Sequence, residues 1–181
     1  MDNLKELIEE MHGGDLLAFE RLVTLFEDRI YTYVLRLVGN RDDAADLVQE
    51  TFLKLYRHRH KLKAEENVKS FLYTIATNVT RDYWRKTKRE RLLRAGDDEM
   101  LETIADESTY SRIETHIVAD DVLRALGALR PLYKTVLVLY YEQGFSYEEI
   151  AKLLDAPLNS VKTYLRRAKA ALKDELTKTK P

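Results

Sequence analysis

Ser146-Tyr-Glu-Glu-Ile-Ala-Lys-Leu-Leu-Asp-Ala-Pro-Leu-Asn-Ser-Val-Lys-Thr-Tyr-Leu-Arg-Arg-Ala-Lys169 decides the fold. Ser146 and Glu149 stand at capping-box spacing, so a helix starts there. Ile150, Ala151, Leu153 and Leu154 give it an apolar face. Asp155-Ala156-Pro157 ends it, because proline disfavours helical geometry in the residue before it. A second helix is predicted from about Leu158 to Leu176, with Val161, Leu165, Ala168 and Leu172 as its core stripe. Asn159, Lys162, Thr163 and Arg166 fall opposite that stripe or on its flank, with Ser160 and Arg167 on the other flank. A short helix, a tight turn and a helix with polar and basic outer residues are what reading a DNA major groove requires. Two amphipathic helices of an ordinary bundle, with a solvated basic face, give the same pattern.

Working outward, almost everything else also reads as helix. Glycine and proline are few and no stretch alternates as a strand does. A short helix spans about Asn3–His12. Asp15 caps a long helix that turns Phe19, Leu22, Val23, Phe26, Ile30, Tyr33, Val34 and Leu37 inward, and Gly39-Asn40 ends it. The next helix, about Asp42–His60, buries Ala44, Leu47, Val48, Phe52 and Leu55. A charged loop follows over Lys61–Asn67, and Ser70 opens a third long helix with Phe71, Leu72, Ile75, Ala76, Val79 and Tyr83 inside. The pattern stops near Arg94 and resumes with Ile113, Ile117, Val118, Val122, Leu123 and Leu126. Pro131 suits the first turn of a helix that carries Val136, Leu137, Leu139 and Tyr140 and stops at Gly144. The expectation is an all-α chain of two small helical domains, residues 1–94 and 112–181, joined by an acidic linker of limited structure over 95–111.

Bulk properties narrow the function classes. A chain of 181 residues holds one large domain or two small ones. It has no cysteine, which excludes disulfides and thiolate metal sites. Of its four histidines only His58 and His60 are close in sequence, and residues two apart on a helix do not face each other. No metal site or cofactor is expected, and no catalytic constellation or glycine-rich phosphate loop occurs. No apolar run is long enough to span a membrane, and the first residues lack the regions of a signal peptide, so a cytosolic protein is expected.

The net charge of −1 conceals a segregation. Arg81, Arg85, Lys86, Lys88, Arg89, Arg91 and Arg94 make one basic block, and Asn159 onward makes another. Between them lies an acidic stretch from Asp97 to Asp121. This alternation suits two polyanion-binding surfaces separated by an acidic connector, or blocks that pair with one another across the fold.

The outer face of the helix from Ser70 to Arg89 mixes Thr74, Thr77, Arg81, Arg85 and Lys88 with Trp84. Cations for phosphates and a ring for stacking suit single-stranded DNA. Asn78 and Asp82, one turn apart, offer hydrogen bonds to base edges. Asp82 could equally pair with Lys86, and Trp84 either stacks on a base or packs on the neighbouring helix. In the second helix of the turn motif, Arg166 suits a bidentate contact to guanine, and Lys162 and Arg167 suit phosphates.

Three blocks in this order resemble one family. They are Asp43-Ala-Ala-Asp-Leu-Val-Gln-Glu-Thr-Phe-Leu-Lys-Leu-Tyr56, Ser70-Phe-Leu-Tyr-Thr-Ile-Ala-Thr-Asn-Val-Thr-Arg-Asp-Tyr-Trp-Arg-Lys86, and the helix-turn-helix with Pro157-Leu-Asn-Ser-Val-Lys-Thr163. Together they resemble the bacterial RNA polymerase sigma factors of the extracytoplasmic-function type in the sigma-70 family. The resemblance implies a subunit that binds core RNA polymerase and directs promoter-specific initiation, of a stress or envelope regulon, with an anti-sigma factor as a further partner. It implies that Asp46, Gln49, Glu50 and Phe52 dock on the polymerase. It places Asn78, Arg81, Asp82, Trp84, Arg85 and Lys88 on the minus-ten element, where the loop Lys61–Asn67 helps hold a flipped base. It places Asn159, Ser160, Lys162, Thr163, Arg166 and Arg167 on the minus-thirty-five element. Asn159 and Tyr164 depart from the glycine and arginine frequent in the family, at the start of the reading helix. The alternative is a stand-alone helix-turn-helix regulator whose N-terminal half senses or dimerises.

Overall fold

In a computed structural model of the chain, residues 4–62, 66–95 and 117–178 are described. Among them the elements are α1 (Leu4–His12), α2 (Leu16–Val38), α3 (Arg41–Arg57), a 3₁₀ turn (Arg59–Lys61), α4 (Glu66–Ala95), α5 (Ile117–Gly127), α6 (Pro131–Leu137), a π turn (Val138–Glu142), α7 (Tyr147–Leu154) and α8 (Leu158–Lys178). The all-α expectation holds. The inferred linker from 96 to 111, and Ile113, lie outside the described residues, as do residues 63–65 of the charged loop.

Local chemistry sets the boundaries. The Asp15 carboxylate accepts from the Leu17 N–H at 2.8 Å and starts α2. Gly39 stops it in the left-handed region, φ 76°, donating its N–H to the Leu35 carbonyl. That conformation favours glycine because a Cβ would clash. Asn40 belongs to the following helix instead, since its side chain accepts from the Asp42 and Asp43 N–H groups. Arg130 precedes Pro131 at the first turn of α6, as the sequence suggests. Helix α4 starts at Glu66, earlier than Ser70, and runs for 30 residues.

Helices α1 to α4 enclose the first part of the core. Tyr33 and Tyr73 are buried in it with ring centroids 5.0 Å apart. The Tyr33 hydroxyl pairs with Thr77 Oγ1 at 2.7 Å, and burial pushes its pKa well above the ordinary tyrosine value. A buried hydroxyl costs free energy unless it is hydrogen-bonded, so this pair fixes the register of α2 against α4. Tyr83 donates to Asp43 Oδ2 at 2.8 Å and ties α4 to the start of α3.

Helices α5 to α8 form the second part. Helix α8 packs on α5, α6 and α7 through Val161, Leu165 and Ala168. The π turn brings Tyr140 and Tyr141 together edge to face at 4.9 Å, with Tyr147 at 5.0 Å from Tyr140 and the Lys169 ammonium over Tyr141.

The two parts are not separate in space. Their buried residues form one continuous cluster. Helix α7 packs on α4, and α6 on α2. The Lys134 ammonium is buried and donates to the Leu37 carbonyl at 3.2 Å. That carbonyl sits in the last turn of α2, where the helix itself leaves acceptors unmatched and favours a cation.

Candidate nucleic-acid and partner interfaces

Three outward faces carry the residues singled out from the sequence. The first is on α3. Asp46, Gln49, Glu50 and Leu53 are all exposed and follow one another at helical spacing, so they form a single stripe. Glu50 pairs with Lys54 at 2.8 Å, and Asp46 has no ion pair among the described residues. Phe52 is in the core at 7% exposure and has little surface for a partner. Leu53, 58% exposed, takes its place beside the carboxylates. The heptad offset from Asp46 to Leu53 was the signal for it.

The second face is on α4. Asn78, Arg81, Asp82, Arg85 and Lys88 are exposed, and Asp82 pairs with Arg85, not with Lys86. An exposed pair of this kind contributes at most about 1 kcal/mol, so a phosphate or base edge displaces it readily. Trp84 is half-buried and packs against the core, leaving part of its ring at the surface. Thr77, expected on the outer face, is buried, because its hydroxyl is committed to Tyr33 and to the Tyr73 carbonyl. Thr74 is half-buried and donates to the Ser70 carbonyl.

The third face belongs to the helix-turn-helix. Helix α7 begins with the full capping box: the Glu149 N–H donates to Ser146 Oγ at 3.2 Å and the Ser146 N–H to Glu149 Oε2 at 2.7 Å. Asp155, φ 50°, closes α7, and α8 restarts at Leu158. Asn159, Lys162, Arg166 and Arg167 are exposed on α8, with Ser160 and Thr163 half-buried beside them. Thr163 Oγ1 donates to the Asn159 carbonyl at 2.9 Å. Tyr164 packs against the core cluster, so this departure from the family pattern is turned away from the reading face.

The capping box makes a first prediction. Ser146→Ala is expected to destabilise the helix-turn-helix by about 1 kcal/mol. The Ser146 backbone N–H holds the Glu149 pKa below its ordinary value of 4.5. Glu149's contribution is therefore complete above that value and is lost as pH falls through the lower folded pKa. Thermal melts of wild type and Glu149→Gln from about pH 6 to about pH 3 should converge at the acid end. A difference that stays constant with pH would remove the carboxylate from the cap.

His12 Nε2 hydrogen-bonds to the Arg59 carbonyl at 2.9 Å. His58 Nδ1 hydrogen-bonds to the Lys54 carbonyl. No group of three or more metal-ligating side chains occurs among the described residues. None of their helices is long and apolar enough to cross a membrane.

Comparison with known proteins places these faces. Sigma-70 region 2 matches residues 22–90, and Sigma-70 region 4 matches residues 119–172. The chain is 32% identical to the ECF RNA polymerase sigma factor SigW of Bacillus subtilis, over 96% of each protein. It is 33% identical to RNA polymerase sigma factor SigV of the same organism, over 87% of this chain and 92% of that one. Its fold is that of the sigma factor RpoE from Bartonella quintana, solved with the anti-sigma factor NepR, with a TM-score of 0.69, 24% identity, and 90% and 98% of the two chains covered. CnrH, solved with the cytosolic domain of CnrY, shares the fold with a TM-score of 0.67 and 21% identity over 96% and 97%.

Proposed function

The chain belongs to the extracytoplasmic-function RNA polymerase sigma factors of the sigma-70 family, and from that premise we propose how its surfaces divide the work. As a sigma factor it binds core RNA polymerase and directs promoter-specific initiation. The stand-alone regulator is not favoured, because residues 22–90 match Sigma-70 region 2. The division rests on one observation: an acidic stripe with an exposed leucine lies on α3, and the basic faces lie on α4 and α8, so docking and DNA reading use different helices.

Asp46, Gln49, Glu50 and Leu53 form the docking stripe, with carboxylates for basic side chains of the polymerase and an apolar contact beside them. The α4 face, from Asn78 to Lys88, holds the unpaired strand of the minus-ten element. The α8 face, from Asn159 to Arg167, reads the minus-thirty-five element. RNA synthesis itself is the polymerase's chemistry. An anti-sigma factor is the regulatory partner expected of this family.

Two sets of variants test the division. Arg166→Ala should cost roughly 1–3 kcal/mol and relax selectivity at one base pair, whereas Lys162→Ala should weaken all sequences about equally. A uniform loss from Arg166→Ala would reassign it to phosphate. Asn78→Ala or Trp84→Ala should reduce permanganate reactivity of promoter thymines while core binding stays intact, and a pre-melted bubble should partly restore initiation. Unchanged footprints with both variants would remove the α4 face from strand capture.

A further inference from the structure

The contact between the two halves is polar, specific and placed on the DNA-reading helix α4. The turn between the π segment and α7 meets the first third of α4. Lys69 Nζ donates to the Gln143 carbonyl at 2.7 Å and lies 4.5 Å from the centre of the Phe145 ring. The Tyr73 hydroxyl donates to Gln143 Oε1, and the Tyr73 and Phe145 rings stack edge to face at 5.1 Å. Arg36 and Glu142 pair across the rim at 3.3 Å. The Tyr73 pKa is pushed up to about 12 by burial, so its hydroxyl stays a donor at any physiological pH.

Simple geometry shows what this contact forbids. Helix α7 packs on both α4 and α8. With interaxial spacings of 8–10 Å, the axes of α4 and α8 come within about 20 Å of each other. Along the helices, Tyr73 to Arg81 and Leu158 to Arg166 each add about 12 Å at 1.5 Å per residue. The two DNA-facing surfaces are therefore at most about 45 Å apart. Elements near minus ten and minus thirty-five lie roughly 25 base pairs apart, about 85 Å of straight duplex. The chain from Ala95 to Ile117 can extend to about 75 Å, so covalent geometry allows the halves to part.

We propose that the Gln143–Phe145 turn, seated on Lys69 and Tyr73, is a latch that holds the unbound chain closed, and that docking on polymerase must break it. This inference rests on the proposed division of the two DNA-reading faces. The closed form cannot place both helices on one promoter. It also keeps the Lys69 cation on a backbone carbonyl and an aromatic face, away from any phosphate. A ligand that needs the open state binds with an apparent affinity lowered by the fraction open.

The chain has no cysteine, so probes can be placed at will. Glu27→Cys and Lys173→Cys, both at exposed positions, carry a fluorophore pair on the full-length chain. In the free wild type the transfer efficiency should be single and narrow. Tyr73→Phe, Glu142→Arg and Gln143→Ala together should broaden it and tighten binding to core polymerase about five- to fiftyfold. In a second arm, Arg36→Cys and Glu142→Cys are joined by a short, reducible bismaleimide. That chain should lose run-off transcription and regain it on reduction. A broad distribution in the wild type, an unchanged distribution in the triple variant, or opening with no gain in core affinity would each overturn the latch. So would full transcription by the cross-linked chain. If the distances respond as expected but no form binds core, the latch stands and the assignment of the docking and reading faces fails.

Discussion

Replacing Asp46 and Glu50 together by lysine should weaken binding to core polymerase by about a hundredfold, with helical content unchanged. Both side chains are exposed on one stripe of α3 with Gln49 and Leu53. If they face basic groups of the partner, reversal turns two attractions into two repulsions. Like charges opposed at an interface cost several kcal/mol, and roughly 3 kcal/mol is a hundredfold. The cost to the fold is small, because only the exposed Glu50–Lys54 pair is lost, worth roughly 0.5 kcal/mol or less. The loss should shrink as salt rises, since exposed charges are screened. Pull-down with core at two ionic strengths, beside circular dichroism of the free variant, measures both. Unchanged capture at moderate salt would place the polymerase on another face.

The second large effect is on stability. Ile150 is fully buried in α7, the helix wedged between α4 and α8. Ile150→Ala should cost about 2–5 kcal/mol, because the cavity adds to the lost transfer free energy. Since α7 also carries the contact with α4, the variant should loosen the reading helix and the inter-domain contact together. Urea denaturation gives the loss, and binding of minus-thirty-five DNA by the polymerase complex should fall with it. A change under about 0.5 kcal/mol would mean that α7 is not packed as described.

The helices and their ends were legible because their signals are local. Asp15, Gly39, Ser146 and Glu149 stop or start helices within four residues of themselves, and each does so as read from the sequence. The core stripes of α2 and α8 follow from 3.6-residue periodicity alone. What escaped the sequence depends on distant partners. Thr77 reads as an outer polar residue until Tyr33 arrives from 44 positions away to share its hydroxyl. Lys134 reads as solvated until the end of α2 supplies a carbonyl for it. Phe52 and Leu53 are neighbours in one apolar run, and only the pose of α3 on α2 and α4 decides which is buried. The π turn at Val138–Glu142 shifts the helical register, so periodicity could not place Tyr140 and Tyr141. The contact of Gln143 with Lys69 and Tyr73 has no periodicity at all.

Run-off transcription with purified bacterial core polymerase reaches the central claim most directly. Template promoters are drawn from a random library and recovered from the transcripts. Core with this chain should produce transcripts from a subset of promoters sharing two short elements, and core alone should not. The Asp46→Lys, Glu50→Lys double variant should abolish them, and Arg166→Ala should relax one position of the upstream element. Transcripts equal with and without the chain, or a selected motif indifferent to both α4 and α8 variants, would contradict the account.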